Sequence, residues 1–132
     1  MLSFRTPTED DMSFIYSSWL KSYRNSDYAK YICNELYYQA HAAIITALIL
    51  KEKTLIAYDS DTNVLLGFIC YSDQTIFYIY VKFIAREMGI AKELLAKTDI
   101  DLSLPILTTH STLASQKSKL LLVYSPYAML GE

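Results

Sequence analysis

Val81-Lys82-Phe83-Ile84-Ala85-Arg86-Glu87-Met88-Gly89-Ile90-Ala91 joins an apolar strand to the start of a helix, and the architecture turns on this junction. Upstream, Ile76, Tyr78, Tyr80 and Lys82 alternate with Phe77, Ile79 and Val81, so Thr75 to Lys82 is expected to be a central strand packed on both faces. Downstream, Gly89 to Thr98 returns to helical spacing with Ile90, Leu94 and Leu95 inward. Gly89 and Ala91, being small, leave backbone N–H groups near the helix start open to a ligand. A helix start carries partial positive charge and unpaired donors, and Lys82, Arg86 and Lys92 add charge around it, so the junction suits an anion such as a pyrophosphate.

Working outward, Thr6-Pro7-Thr8-Glu9 supplies a capping hydroxyl, a proline and a carboxylate, which predicts a helix beginning near Pro7. Met12, Ile15, Tyr16, Trp19, Leu20 and Tyr23 form its apolar stripe, with Asp11, Ser18, Lys21 and Arg24 facing out. Asn25 to Asn34 reads as a connection, and Tyr37, Ala40, His41, Ile44, Ala47 and Leu48 mark a second helix to about Lys53. Thr54 to Tyr58 and Val64 to Tyr71 flank the turn-forming Asp59-Ser60-Asp61-Thr62-Asn63 and predict a hairpin. Further strands are expected at Leu2 to Arg5, Leu104 to Thr109 and Lys119 to Tyr124. A strand, helix and strand in succession place neighbouring strands parallel. The expected class is therefore α/β, a mixed central sheet flanked by helices.

The 132 residues suit a single domain, 1–132, and 52% hydrophobic with 20% charged residues gives enough apolar surface for a core. A net charge of -2 lacks the positive excess that phosphate-backbone binding uses, so no nucleic-acid partner is expected. The longest apolar run, Ala42 to Leu50, is interrupted by Thr46 and too short to span a bilayer, and the acidic N-terminal stretch does not read as a secretory signal. Cys33 and Cys70 lie in apolar settings without metal-ligand spacing, so the reading is a cytoplasmic protein with reduced thiols and no metal site. His41 falls on the second helix's apolar stripe and is expected to be a hydrogen-bonded core residue. Tyr28, Tyr31, Tyr37 and Tyr38 are expected to line an acceptor groove or a protein interface.

Arg86-Glu87-Met88-Gly89-Ile90-Ala91 resembles the acetyl-CoA loop of the GCN5-related N-acetyltransferase superfamily, which reads Arg or Gln, two residues, Gly, one residue, then Gly or Ala. Val81 sits where that family ends its central strand, Phe4-Arg5 with Glu9-Asp10-Asp11 and the first helix is similar to its opening, and Leu66-Gly67-Phe68 is similar to its third strand. The resemblance implies the acyl-CoA N-acyltransferase fold, acetyl-CoA as cosubstrate and direct transfer of acetyl to a primary amine of a small molecule or protein. It also implies that Ile79, Val81 and Phe83 contact pantetheine and acetyl through main-chain atoms. It further implies that Arg86, Met88, Gly89, Ile90 and Ala91 line the pyrophosphate.

The transfer needs an acid for the leaving thiolate and a base for the amine. The resemblance points to Tyr124 or Tyr127 as the acid, and His110 or Asp73 is the candidate base. Three features depart from the family pattern: Glu87 is acidic where Gly or a basic residue is common, Thr109 to Gln116 is poor in helix formers, and only eight residues follow Tyr124. A shortened member whose acceptor cleft is completed by a second copy, as a homodimer, is one expectation. A noncatalytic interaction or assembly module of the same fold is the alternative, and a CoA-regulated binder that does not turn over is a third.

Overall fold

The computed structural model describes residues 1–24, 29–109 and 120–125. Its elements are β1 (Leu2–Arg5), α1 (Met12–Tyr23), α2 (Asn34–Lys51), β2 (Lys53–Asp59), β3 (Leu65–Ser72), β4 (Thr75–Val81), α3 (Ile90–Ala96), β5 (Ile106–Thr108) and β6 (Leu122–Tyr124). The strands form one sheet in chain order. β1 to β4 run as an antiparallel meander, and β5 and β6 are added parallel, so the sheet is mixed as the sequence predicts.

The first helix starts later than Pro7. Thr8 is extended and holds the entry through Asp11, whose carboxylate accepts from the Thr8 N–H at 2.7 Å, and a single 3-10 turn precedes α1. Asp11 does not face out. It is 3% exposed, and the Arg5 guanidinium pairs with both its oxygens, one contact at 2.9 Å. A carboxylate so capped and paired tolerates burial, whereas periodicity alone assigns it to solvent. Ser18 is also buried rather than outward, because its hydroxyl donates to the Phe14 carbonyl one turn back. In α2 the buried stripe is Tyr37, His41, Ile45 and Leu48, while Ala40 and Ala47, expected inside, are exposed. The larger side chains take the inward positions because they remove more apolar area from water.

The two sheet faces carry different helices. Ile15, Trp19 and Tyr23 of α1 and Tyr37, Ile45 and Leu48 of α2 pack with Ile56, Phe68, Cys70 and Tyr78 on one face. Ile90 and Leu94 of α3 pack with Ile69, Tyr71, Ile76 and Ile106 on the other. On the first face the Trp19 indole stacks on the Tyr78 ring, with centroids 5.0 Å apart. His41 is sandwiched there between Tyr23 and Tyr37, at 4.6 and 5.3 Å. Its burial is as expected, the two rings stack on it, and Nε2 has no partner among the described residues.

Candidate functional site

β3 and β4 pair with a one-residue irregularity. Cys70 lies opposite Tyr78 and Tyr71 opposite Ile76, which leaves Phe77 as an extra residue in β4. Such a bulge bends its strand and changes which way the side chains point. Phe77 and Tyr78 accordingly both join the α1/α2 face, while Ile76 and Ile79 join the α3 face. On its other edge β4 pairs with β5 only at Thr75 with Leu107 and Ile76 with Thr108. Thr109 fastens this fork: its N–H donates to the Ile76 carbonyl at 3.2 Å, and its hydroxyl donates to the Phe77 carbonyl. Beyond it the edge of β4 is open among the described residues.

Strand alternation says which groups line that edge. The Lys82 N–H donates to the Leu66 carbonyl on β3, so the main-chain groups of Tyr80 and Tyr78 also face β3, and those of Ile79 and Val81 face the open side. The Val81 carbonyl accepts from Arg86 Nε at 3.1 Å, consistent with that direction. The main chain of Ile79 and Val81 thus faces the side of β4 that is open among the described residues.

After Val81 the chain makes one 3-10 turn, Phe83–Ala85, anchored by the buried Ala85, and then reaches Gly89. Glu87 and Gly89 adopt positive φ of 71° and 76°. A Cβ at Gly89 would meet no atom within 4 Å, so that residue's requirement is the left-handed backbone and the space above it is open. Gly89 opens the seven-residue α3, which buries Ile90 and Leu94 and leaves Ala91 exposed. Phe83, Ile84 and Met88 stand 79%, 81% and 68% exposed on the loop. The strand edge that is open among the described residues, Arg86 and the glycine turn are therefore neighbours.

On the α1 side of the end of β4 lies a cleft of about 450 Å³, lined by Phe14, Ser17, Lys21, Tyr80, Lys82 and Arg86 together with Ser18 and Ser22. The Ser22 hydroxyl donates to the Ser18 carbonyl at 2.6 Å and is hydrogen-bonded to the Tyr78 hydroxyl. Lys82 Nζ lies 5.3 Å from the Phe14 ring centroid and the Arg86 guanidinium 5.5 Å from that of Phe83. Burial pushes the Tyr78 phenol up to about 12 and the Cys70 thiol up to about 12, so both stay neutral at ordinary pH.

The other candidates are spread out. Tyr124 ends β6 opposite Thr108, with β5 between it and β4, and is 42% exposed. Asp73 occupies the β3–β4 turn with φ 49°, at the end of β4 remote from the loop. His110 and Tyr127 lie outside the described residues, as does Tyr28. Of the other groove tyrosines, Tyr31 and Tyr38 are exposed but Tyr37 is 2% exposed and belongs to the core, its hydroxyl donating to the Leu20 carbonyl. Cys33 is exposed, contrary to its apolar surroundings in sequence. Sequence reasoning missed Ser17, Lys21, Tyr80 and Thr109. Ser17 and Lys21 stand one turn apart on α1, a signal available from spacing, whereas Thr109 acquires its role only through β4. Among the described residues no cluster of His, Cys, Asp and Glu is able to hold a metal, and no helix is long and apolar enough to cross a membrane.

No protein-family model matches the sequence, and no curated protein matches it significantly. Solved structures do match. A proposed acetyl transferase from Pyrococcus furiosus is 24% identical over 74% of this chain and 71% of its own, with a TM-score of 0.58. An N-acetyltransferase from Thermoplasma acidophilum, solved in complex with coenzyme A, is 17% identical over 74% and 69%, with a TM-score of 0.53. A GCN5-related N-acetyltransferase from Rhodopseudomonas palustris is 19% identical over 71% and 61%, with a TM-score of 0.53. The chain thus spans 61 to 71% of the length of these structures. The chain has the acyl-CoA N-acyltransferase fold of the GCN5-related N-acetyltransferase superfamily.

Proposed function

We propose that this chain, acting as one domain, is an N-acetyltransferase that moves the acetyl group of acetyl-CoA to a primary amine. The observation that carries the reading is the edge of β4 that is open among the described residues, with the main chain of Ile79 and Val81 turned toward it, running directly into the Arg86–Ala91 loop. The coenzyme A complex of the structurally similar Thermoplasma protein supports the choice of cosubstrate. Acetyl-CoA supplies a thioester whose carbonyl carbon a neutral amine attacks directly: the C–N bond forms, the C–S bond breaks, the amine loses a proton and the thiolate gains one. In this reading the Ile79 and Val81 main chain, with Phe83 beside it, aligns the pantetheine and acetyl. Arg86 leaves the Val81 carbonyl and, with the N–H groups of Met88, Gly89, Ile90 and Ala91, holds the diphosphate. The proposed proton carriers are Tyr124, Tyr127 and His110, with Tyr80 added because it lines the cleft. The free thiols Cys33 and Cys70 support a reducing, cytoplasmic setting.

Calorimetric titration with acetyl-CoA and with CoA tests this, on the native chain and on Arg86→Ala and Gly89→Asp. The expected result is a dissociation constant on the order of micromolar that weakens in both variants while their melting stays cooperative. Turnover with a panel of amines should then fall in whichever of Tyr80→Phe, Tyr124→Phe and Tyr127→Phe removes the acid. A folded protein that binds neither molecule would overturn the enzymatic reading in favour of the noncatalytic module.

A further inference from the structure

The cleft between α1 and the end of β4 is positively charged against the sign of the whole chain. Lys21, Lys82 and Arg86 line it and no carboxylate does, although the net charge is -2. The ion pairs among the described residues are Met1 with Asp59 and Asp61, Arg5 with Asp11, and Lys53 with Asp99, so none of the three cleft cations is neutralised by an acid there. Lys82 and Arg86 rest on the faces of Phe14 and Phe83, contacts that orient a cation without cancelling its charge. Ser17 and Lys21 stand four residues apart on α1, one face of one helix, so a hydroxyl and an ammonium present donors to the same point. With Arg86 assigned to the diphosphate, Lys21 and Lys82 remain as two like charges on one concavity, and an anion relieves their repulsion while accepting their hydrogen bonds.

The cleft's position says which anion. It lies on the α1/α2 face, whereas α3, which opens from the Gly89 turn, packs on the opposite face. A diphosphate held at that turn is served from the α3 side. On the acetyltransferase reading, the α1 side of the Ile79–Val81 edge is the one left for a second substrate. Its volume of about 450 Å³ suits a small molecule. Resting on the acetyltransferase reading, we propose that the amine acceptor is a small molecule that also carries a carboxylate or phosphate, and that Lys21, aided by Ser17 and Lys82, binds this anionic group.

The test compares matched amines: amino acids against the corresponding amines lacking the carboxylate, and O-phosphoethanolamine against ethanolamine. With acetyl-CoA saturating, the anionic member of a pair is expected to have a kcat/KM about tenfold higher or more. Lys21→Ala raises its KM by about tenfold, and Lys21→Arg restores it. Amide chemical shifts of Ser17 and Lys21 give a readout that needs no turnover and no acetyl-CoA: the anionic amines move them at millimolar concentration and the uncharged partners do not. The proposal is overturned if neither member of any pair moves these amides, if the pairs react equally, or if Lys21→Ala instead weakens acetyl-CoA, which assigns the cleft to the cosubstrate. Failure of the native chain to bind acetyl-CoA, with the amide shifts intact, removes the acetyltransferase reading and leaves an anion-binding cleft.

Discussion

Glu87 is a non-glycine residue held at φ 71° inside the ligand loop, a conformation that costs side-chain-bearing residues about 1 kcal/mol or more. Glu87→Gly is therefore expected to raise stability by about 1 kcal/mol, read from urea melts, and, on the proposed reading, to tighten acetyl-CoA by removing a carboxylate from the loop that would hold its phosphates. His41 carries a second consequence at this scale. Burial pushes its pKa from near 6.5 down to about 4, so between these values the unfolded chain binds a proton that the folded chain refuses. Stability is complete above pH 6.5 and falls by about 3 kcal/mol as the pH drops to 4. Substituting His41→Phe should flatten that part of the profile, and an unchanged slope would place its origin elsewhere. Asp11, held below the ordinary carboxylate range by Arg5, adds stability that persists lower still and is lost only as it protonates. The sequence showed His41 on an apolar stripe. It did not show Asp11 turning inward, because a charge on a helix reads as solvated until its partner on β1 is known.

At the scale of elements, β3 and β4 come close enough at Gly67 that only hydrogen fits. A Cβ there would stand 2.3 Å from the Tyr80 carbonyl oxygen, and the neighbour is main chain, which does not swing aside. Gly67→Ala is expected to cost about 3 kcal/mol and to displace β4 beside the site, so calorimetry should record weaker acetyl-CoA binding together with the lower melting temperature. Full affinity in a destabilised variant would uncouple the two. The hairpin carrying this contact is legible from residue types alone, since Asp59 to Asn63 offers turn formers and Asn63 takes φ 60°. The bulge is not. Ile76 to Lys82 alternates without a break, and Phe77 is singled out by pairing partners, with Thr109 as the distant clasp. The motif after Val81 announces the loop because its glycine and arginine are local requirements, whereas Lys21 and Tyr80 meet only after α1 is laid on the sheet.

For the whole molecule, the sheet joins unequally. β2, β3 and β4 share long registers, while β5 is attached to β4 by two residue pairs, the Thr109 clasp and the Gln74 side chain. That amide donates to the Asp101 and Pro105 carbonyls at 2.9 and 3.2 Å and accepts from the Asp101 N–H at 2.7 Å. Hydrogen exchange should separate the two parts, with Leu107 and Thr109 amides opening well below the global unfolding free energy and those of β3 opening only with it. Acetyl-CoA at a hundred times its dissociation constant is expected to stabilise the fold by about 2.7 kcal/mol and to slow exchange at Leu107 and Thr109. Uniform protection without ligand would contradict this division.

On the proposed reading, the fork between β4 and β5 would give acetyl-CoA a second office. Lying along Ile79 and Val81, it would take up hydrogen-bonding groups that are open among the described residues, so the occupied protein would behave as one cooperative unit and the free protein as two. A cell poor in acetyl-CoA would hold a population whose β5–β6 part opens first and meets proteases first. Metabolic supply would in this way govern how long the protein lasts as well as how fast it works.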